Sequence, residues 1–134
     1  MSGARLAWTI AGVAGAALLG VLALSRQASA APHPDPRPGV TAERVLPPAS
    51  VPHVIGSDEA YTAARTMPGL LDGIYCHCEC AKNFGHRSLL TCFESDHGAS
   101  CNICMGEATL AARLAAQGNS LQQIRKAIDR QFSR

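Results

Sequence analysis

Aromatic residues are scarce, 4% of a chain of 134 residues, so few large side chains are available to fill a core. A chain this short and this poor in bulk holds one small domain. Charge of one sign is also missing. Arg5 and Arg26 flank an apolar N-terminal run, and residues 31–134 then carry 10 basic and 10 acidic residues. No basic footprint for a nucleic acid remains. No glycine-rich phosphate loop and no nucleophile with an orienting base is recognisable, so hydrolase and transferase readings have no support. The chain reads as a binding protein before it reads as an enzyme. No cysteine lies near the end of the apolar run, which excludes a lipoprotein anchor, and no twin-arginine pair points to export in a prefolded, cofactor-loaded form.

The apolar run itself is long. Leu6 to Ser25 carries no charged residue and is mostly Ala, Leu, Val and Gly. Residues 1–30 are therefore expected to be a signal peptide cleaved after Ala28-Ser29-Ala30, or else an uncleaved signal anchor whose residues 6–25 cross the membrane. Either way the remainder is exported to a periplasmic or other extracytoplasmic space. Seven of the eight prolines then fall between Pro32 and Pro52, where fixed φ angles and missing N–H groups oppose helix and central strand. Residues 31–56 are expected to be a proline-rich linker, with His33 and His53 solvated in it.

The folded domain is expected over residues 57–134, mainly α, ending in a helical hairpin. Ser57 with Asp58 and Glu59 is a helix start, and Pro68-Gly69 a stop. The cysteine-rich stretch after Tyr75 is expected to be loop or extended. Ser88 to Phe93 is compatible with a short helix, and Ser95 to Ala99 reads as a turn. Ile103, Leu110 and Leu114 share a helical face, with Ala108, Ala111, Ala112 and Ala115 allowing close approach of a partner. Gly118-Asn119 ends that helix. Ser120 and Gln123 form a capping-box pattern, and Leu121, Ile124, Ile128 and Phe132 make the stripe of a second one.

All six cysteines lie between Cys76 and Cys104, which makes thiol chemistry the main fact about the sequence. In an extended backbone Cys76, Cys78 and Cys80 project on one face while His77 and Glu79 point away. A disulfide between residues two apart closes a small strained ring, so this spacing suits a soft metal, or bridges to distant cysteines, better than internal pairing. Cys101-Asn102-Ile103-Cys104 sits at a helix start, with Ser100 as its cap, where thiolate is stabilised. Cys92 lies between, flanked by His86 and His97 in polar loops.

Three readings fit. The first is a metal site drawing on Cys76, Cys78, Cys80, Cys92, Cys101 and Cys104 with His86 and His97, for copper as Cu(I) or for zinc, soft sulfur favouring both. More thiols than one tetrahedral ion needs, together with Met105, lean it towards copper. The partners it implies are the metal ion and an envelope metalloprotein as acceptor. The second is a disulfide-stapled interaction module of the cell envelope. The third is a thiol-disulfide oxidoreductase using Cys101 and Cys104, although no βαβ pattern surrounds that pair. Met105 stands where c-type haem attachment needs histidine.

Tyr75-Cys76-His77-Cys78-Glu79-Cys80, Gly85-His86-Arg87-Ser88-Leu89-Leu90, Cys92-Phe93, Cys101-Asn102-Ile103-Cys104 and Ile124-Arg125-Lys126-Ala127-Ile128-Asp129 together resemble the bacterial PCYCGC-motif proteins, over about residues 57–132. Tyr75, His77 and Glu79 depart from the motif, which has Pro, Tyr and Gly there. The resemblance implies an exported, small α-helical cysteine-rich domain from a family whose members are largely uncharacterised, and many of which carry a lipoprotein anchor.

Overall fold

The computed structural model describes residues 31–133. The expected signal or anchor segment, residues 1–30, lies outside the described residues. Among the described residues there is no strand, and no helix is long and apolar enough to cross a membrane. The helices are α1 (Ser57–Thr66), α2 (Pro68–Asp72), α3 (Cys80–Phe84), α4 (Asn102–Ala116) and α5 (Leu121–Phe132), with 3-10 turns at Ala42–Arg44, Pro48–Ser50, Leu90–Phe93 and Asp96–Ser100. The all-helical, cysteine-rich class is the one the sequence predicts.

The three longer helices form where periodicity places them. α1 and α4 pack together, and Ala60 and Ala64 of the one and Ala108 and Ala111 of the other are fully buried. Small side chains on both helices let the backbones approach closely. α5 folds back on α4 and buries Ile124 and Ile128. The turn between them follows the sequence: Gly118 takes φ 81°, the Asn119 side chain donates to the Leu114 carbonyl at 2.9 Å, and Ser120 with Gln123 closes a capping box. The start of α1 is shifted by one residue, because Gly56 at φ 90° is the N-cap and the Ser57 hydroxyl turns back to donate to the Val54 carbonyl at 2.8 Å.

The linker expected over residues 31–56 is instead packed onto the domain. Val45 and Val51 belong to the core, and the Leu46 N–H donates to the Phe93 carbonyl at 3.1 Å. Arg37 forms a bidentate pair with Asp72, Nη2 to Oδ1 at 2.7 Å and Nε to Oδ2 at 3.1 Å. Arg87 and Ser88 also reach that buried carboxylate, at 3.0 Å and 2.9 Å. His33, expected in solvent, is only 8% exposed. Its Nε2 donates to Asp129 at 3.0 Å, and its Nδ1 accepts the Tyr75 N–H at 3.0 Å. Proline forbids helix and ladder but not burial, and a chain without its own regular structure can satisfy its polar groups from side chains of the domain.

Candidate metal centre

The cysteine segment is turned rather than extended. Glu79 adopts φ 61°, ψ 22°, in the left-handed region, and Cys80 opens α3. This turn swings the sulfurs of Cys78 and Cys80 to the same side, where the structure joins them as a disulfide with Cα atoms 5.5 Å apart. That is the internal pairing the spacing argued against. The expectation rested on the strain of the small ring between residues two apart; the left-handed residue between the two cysteines turns the chain so that this ring closes. His77 does not point away either. Its side chain is 6% exposed, and both its backbone N–H and its Nδ1 hydrogen-bond Glu107 Oε1, at 2.9 Å and 2.7 Å.

Two groups of donors result. Cys76, Cys78, Cys80 and Cys104 bring four sulfurs within 4.8 Å of one another. Cys76, Cys78 and Cys104 stand 3.4 Å apart in each pair, and Cys80 lies 4.0 Å from Cys104. A tetrahedron of sulfurs on ~2.3 Å bonds has edges of about 3.8 Å, so these separations fit one thiolate-bound ion once the disulfide is opened. The second group is Cys80, His86, Cys92 and His97, also within 4.8 Å. Cys80 Sγ is 3.0 Å from His97 Nε2, and Cys92 Sγ is 3.3 Å from His86 Nδ1. The imidazoles stand edge to face, 4.8 Å between centroids, with the exposed Phe84 ring against both. Burial and the neighbouring His97 hold His86 below its ordinary pKa, favouring the neutral form that ligates metals.

Cys76 and Cys78 share one loop, whereas the other cysteine donors come from separate elements. Cys104 comes from the first turn of α4, Cys80 from α3, and Cys92 from the 3-10 turn that ends at Phe93. Tyr61 of α1 ties the loop after it: its hydroxyl donates to the Ser95 carbonyl at 2.6 Å and accepts the Ala99 N–H at 3.2 Å. Burial pushes that phenol up to about 12. Gly98 is required by close approach, since a Cβ there would meet the Phe93 ring at 2.8 Å and the Cys92 carbonyl at 3.0 Å. Cys76, Cys80, Cys92 and Cys104 are buried, while Cys78, His86 and His97 are half-buried.

Seven of the eight candidate ligands are thus brought together. Cys101 is not. It is the N-cap of α4, the position expected for Ser100, and it belongs to neither group. Its backbone is extended, φ −131°, and its side chain is half-buried. Met105 is buried beside them in the core.

Glu107 and Asp129 are the polar residues that pattern reading missed. Glu107 is fully buried, and burial pushes its carboxyl up to about 8 against the hydrogen bonds from His77. Its bond to Glu107 raises the His77 pKa. Among the described residues Glu107 Oε2 accepts no hydrogen bond, and His77 Nε2, 3.1 Å from Asp129 Oδ1, lacks hydrogen-bond geometry to it. Within the sulfur cluster the hydrogen bond with Cys104 lowers the pKa of Cys76. A glutamate at one helical turn from Cys104 was the available signal, but a lone acidic residue on an amphipathic helix ordinarily faces solvent.

No curated protein and no solved structure matches this chain. A family model does, over residues 41–134, beginning in the segment that packs Val45 and Val51 into the core. The cysteine positions and the matched span together identify the chain as a member of the family described as proteins of unknown function with a PCYCGC motif.

Proposed function

We propose that this protein holds a soft metal ion, Cu(I) in the first instance, through its clustered cysteines, and hands it to an acceptor metalloprotein at the cell envelope. The observation that carries the reading is the convergence of Cys76, Cys78, Cys80 and Cys104, all within 4.8 Å of one another and with four of the pairs outside the disulfide at 3.4–4.0 Å. Soft thiolate sulfur selects Cu(I) and Zn(II) over harder ions. The surplus of thiols over one tetrahedral set favours copper, and Cys78 at the half-buried rim offers an incoming thiol a place to start exchange. Export is supported by the character of residues 1–30. Loading needs the Cys78–Cys80 disulfide opened, a step that takes two electrons and two protons from a thiol reductant and yields two thiols.

The disulfide itself favours one alternative, a stapled envelope module without metal. Exchange chemistry at Cys101 and Cys104 has less support, since Cys104 is fully buried and converges on the other sulfurs in a group that Cys101 does not join. The test is elemental analysis of the full chain recovered from an exported fraction without chelators, with thiols counted before and after metal removal. Copper at one or more ions per chain, with thiols that titrate only after its removal, is expected. Zinc in its place would keep the metal-holding role and overturn copper. No metal, even after reduction and reloading, would sink the reading in favour of the stapled module.

A further inference from the structure

We infer that the two donor groups are one two-metal centre bridged by the Cys80 thiolate. The inference deepens the metal-holding reading and rests on it. Two separate tetrahedral ions need eight protein donors, yet the groups supply seven residues because Cys80 belongs to both. Its sulfur is placed for the shared role: 4.0 Å from Cys104 Sγ on one side and 3.0 Å from His97 Nε2 on the other. Cys80 is fully buried, so no solvent ligand competes for the second lone pair of its thiolate. A thiolate sulfur has lone pairs enough for two soft ions, whereas an imidazole nitrogen has one.

The two ions then differ in their surroundings. The first sits among Cys76, Cys78, Cys104 and the bridge. The second sits among His86 through Nδ1, His97 through Nε2, Cys92 and the bridge, the nitrogens being those that face sulfur at 3.3 Å and 3.0 Å. Phe84 covers the histidine side. A mixed S2N2 set and an S4 set are both closed sets for a soft ion. The Cys78–Cys80 disulfide withholds a ligand from both ions at once, so its reduction to two thiols precedes tight loading of either.

The experiment loads the full chain anaerobically with Cu(I), after a phosphine and water have reduced the disulfide to two thiols and become the phosphine oxide. Ions per chain are counted by native mass spectrometry, and copper K-edge absorption is recorded on the same sample. Two ions per chain with a copper–copper scattering vector are expected. His86→Asn/His97→Asn, at half-buried positions, is expected to hold one ion and lose the vector, while Cys80→Ser loses tight binding of both. Two ions without the vector would overturn the bridge, as would a Cys80→Ser chain that is folded by circular dichroism and keeps one ion at undiminished affinity. A wild-type chain saturating at one ion would overturn the second site and leave the metal-holding reading intact. Saturation at zero would overturn both.

Discussion

At the scale of single residues, Asp72 and Glu79 carry the clearest consequences. Asp72 is fully buried. Burial alone would raise its pKa, but Arg37 and Ser88 hold the carboxyl down to about 2. A depressed pKa in the folded state means the stabilisation is complete above the ordinary aspartate value near 4 and is lost as pH falls from there through about 2. Asp72→Asn should lower stability by about 2–3 kcal/mol at neutral pH, and the difference from wild type should shrink as the pH approaches 2. Urea denaturation of both proteins across that range, under reducing conditions, checks it; a difference independent of pH would mean the carboxylate is not the source. Glu79 is the one non-glycine residue at positive φ among those described, at the position where the family motif has glycine. Glu79→Gly removes the Cβ clash of the left-handed region and should stabilise the reduced protein by about 1 kcal/mol. An unchanged or lower urea midpoint would show that the strain is relieved elsewhere.

At the scale of elements, the helical hairpin is set by local signals and its partner by shape. The capping box of Ser120 and Gln123 satisfies N–H groups at the start of α5, and Ser120→Ala should cost about 1 kcal/mol in chemical denaturation without altering metal content. Gly98→Ala acts differently. Its new methyl would press on the Phe93 ring and the Cys92 carbonyl, in the loop that carries His97. It should cost about 1–3 kcal/mol, as overpacking does, and should weaken loading of the histidine-bearing group more than that of the sulfur group. Competition with a Cu(I) chelator separates the two; equal weakening would mean a general loss of fold. The short helices α2 and α3, at five residues each, were beyond pattern reading because one turn contains no repeat of the 3.6-residue period.

At the scale of the whole molecule, the core is completed by the proline-rich segment. Val45 and Val51 are buried in it, Arg37 neutralises Asp72, and Arg125 of α5 donates to the Pro34 carbonyl at 2.7 Å. Burial of two valines contributes about 3 kcal/mol, a large share of what a domain this small commands. A fragment of residues 57–134 should therefore melt at least roughly 10 °C below one of residues 31–134, if it folds at all. Equal melting temperatures by circular dichroism would return residues 31–56 to the status of a spacer.

Helix against strand, the positions of α1, α4 and α5, and the residues able to hold a soft metal were all written in local pattern, because a 3.6-residue period, a capping box and six clustered cysteines need only near neighbours to be recognised. What belonged to the tertiary structure was which of those residues meet. Cys80 stands at the junction of two donor groups, and Cys101, two residues beyond buried Ala99, stands in neither. His33 leaves an apparent tether to hold Asp129 across 96 positions of sequence. Periodicity carries no information about contacts between segments distant in the chain. Those are decided by which surfaces must be covered and which buried polar groups must find partners.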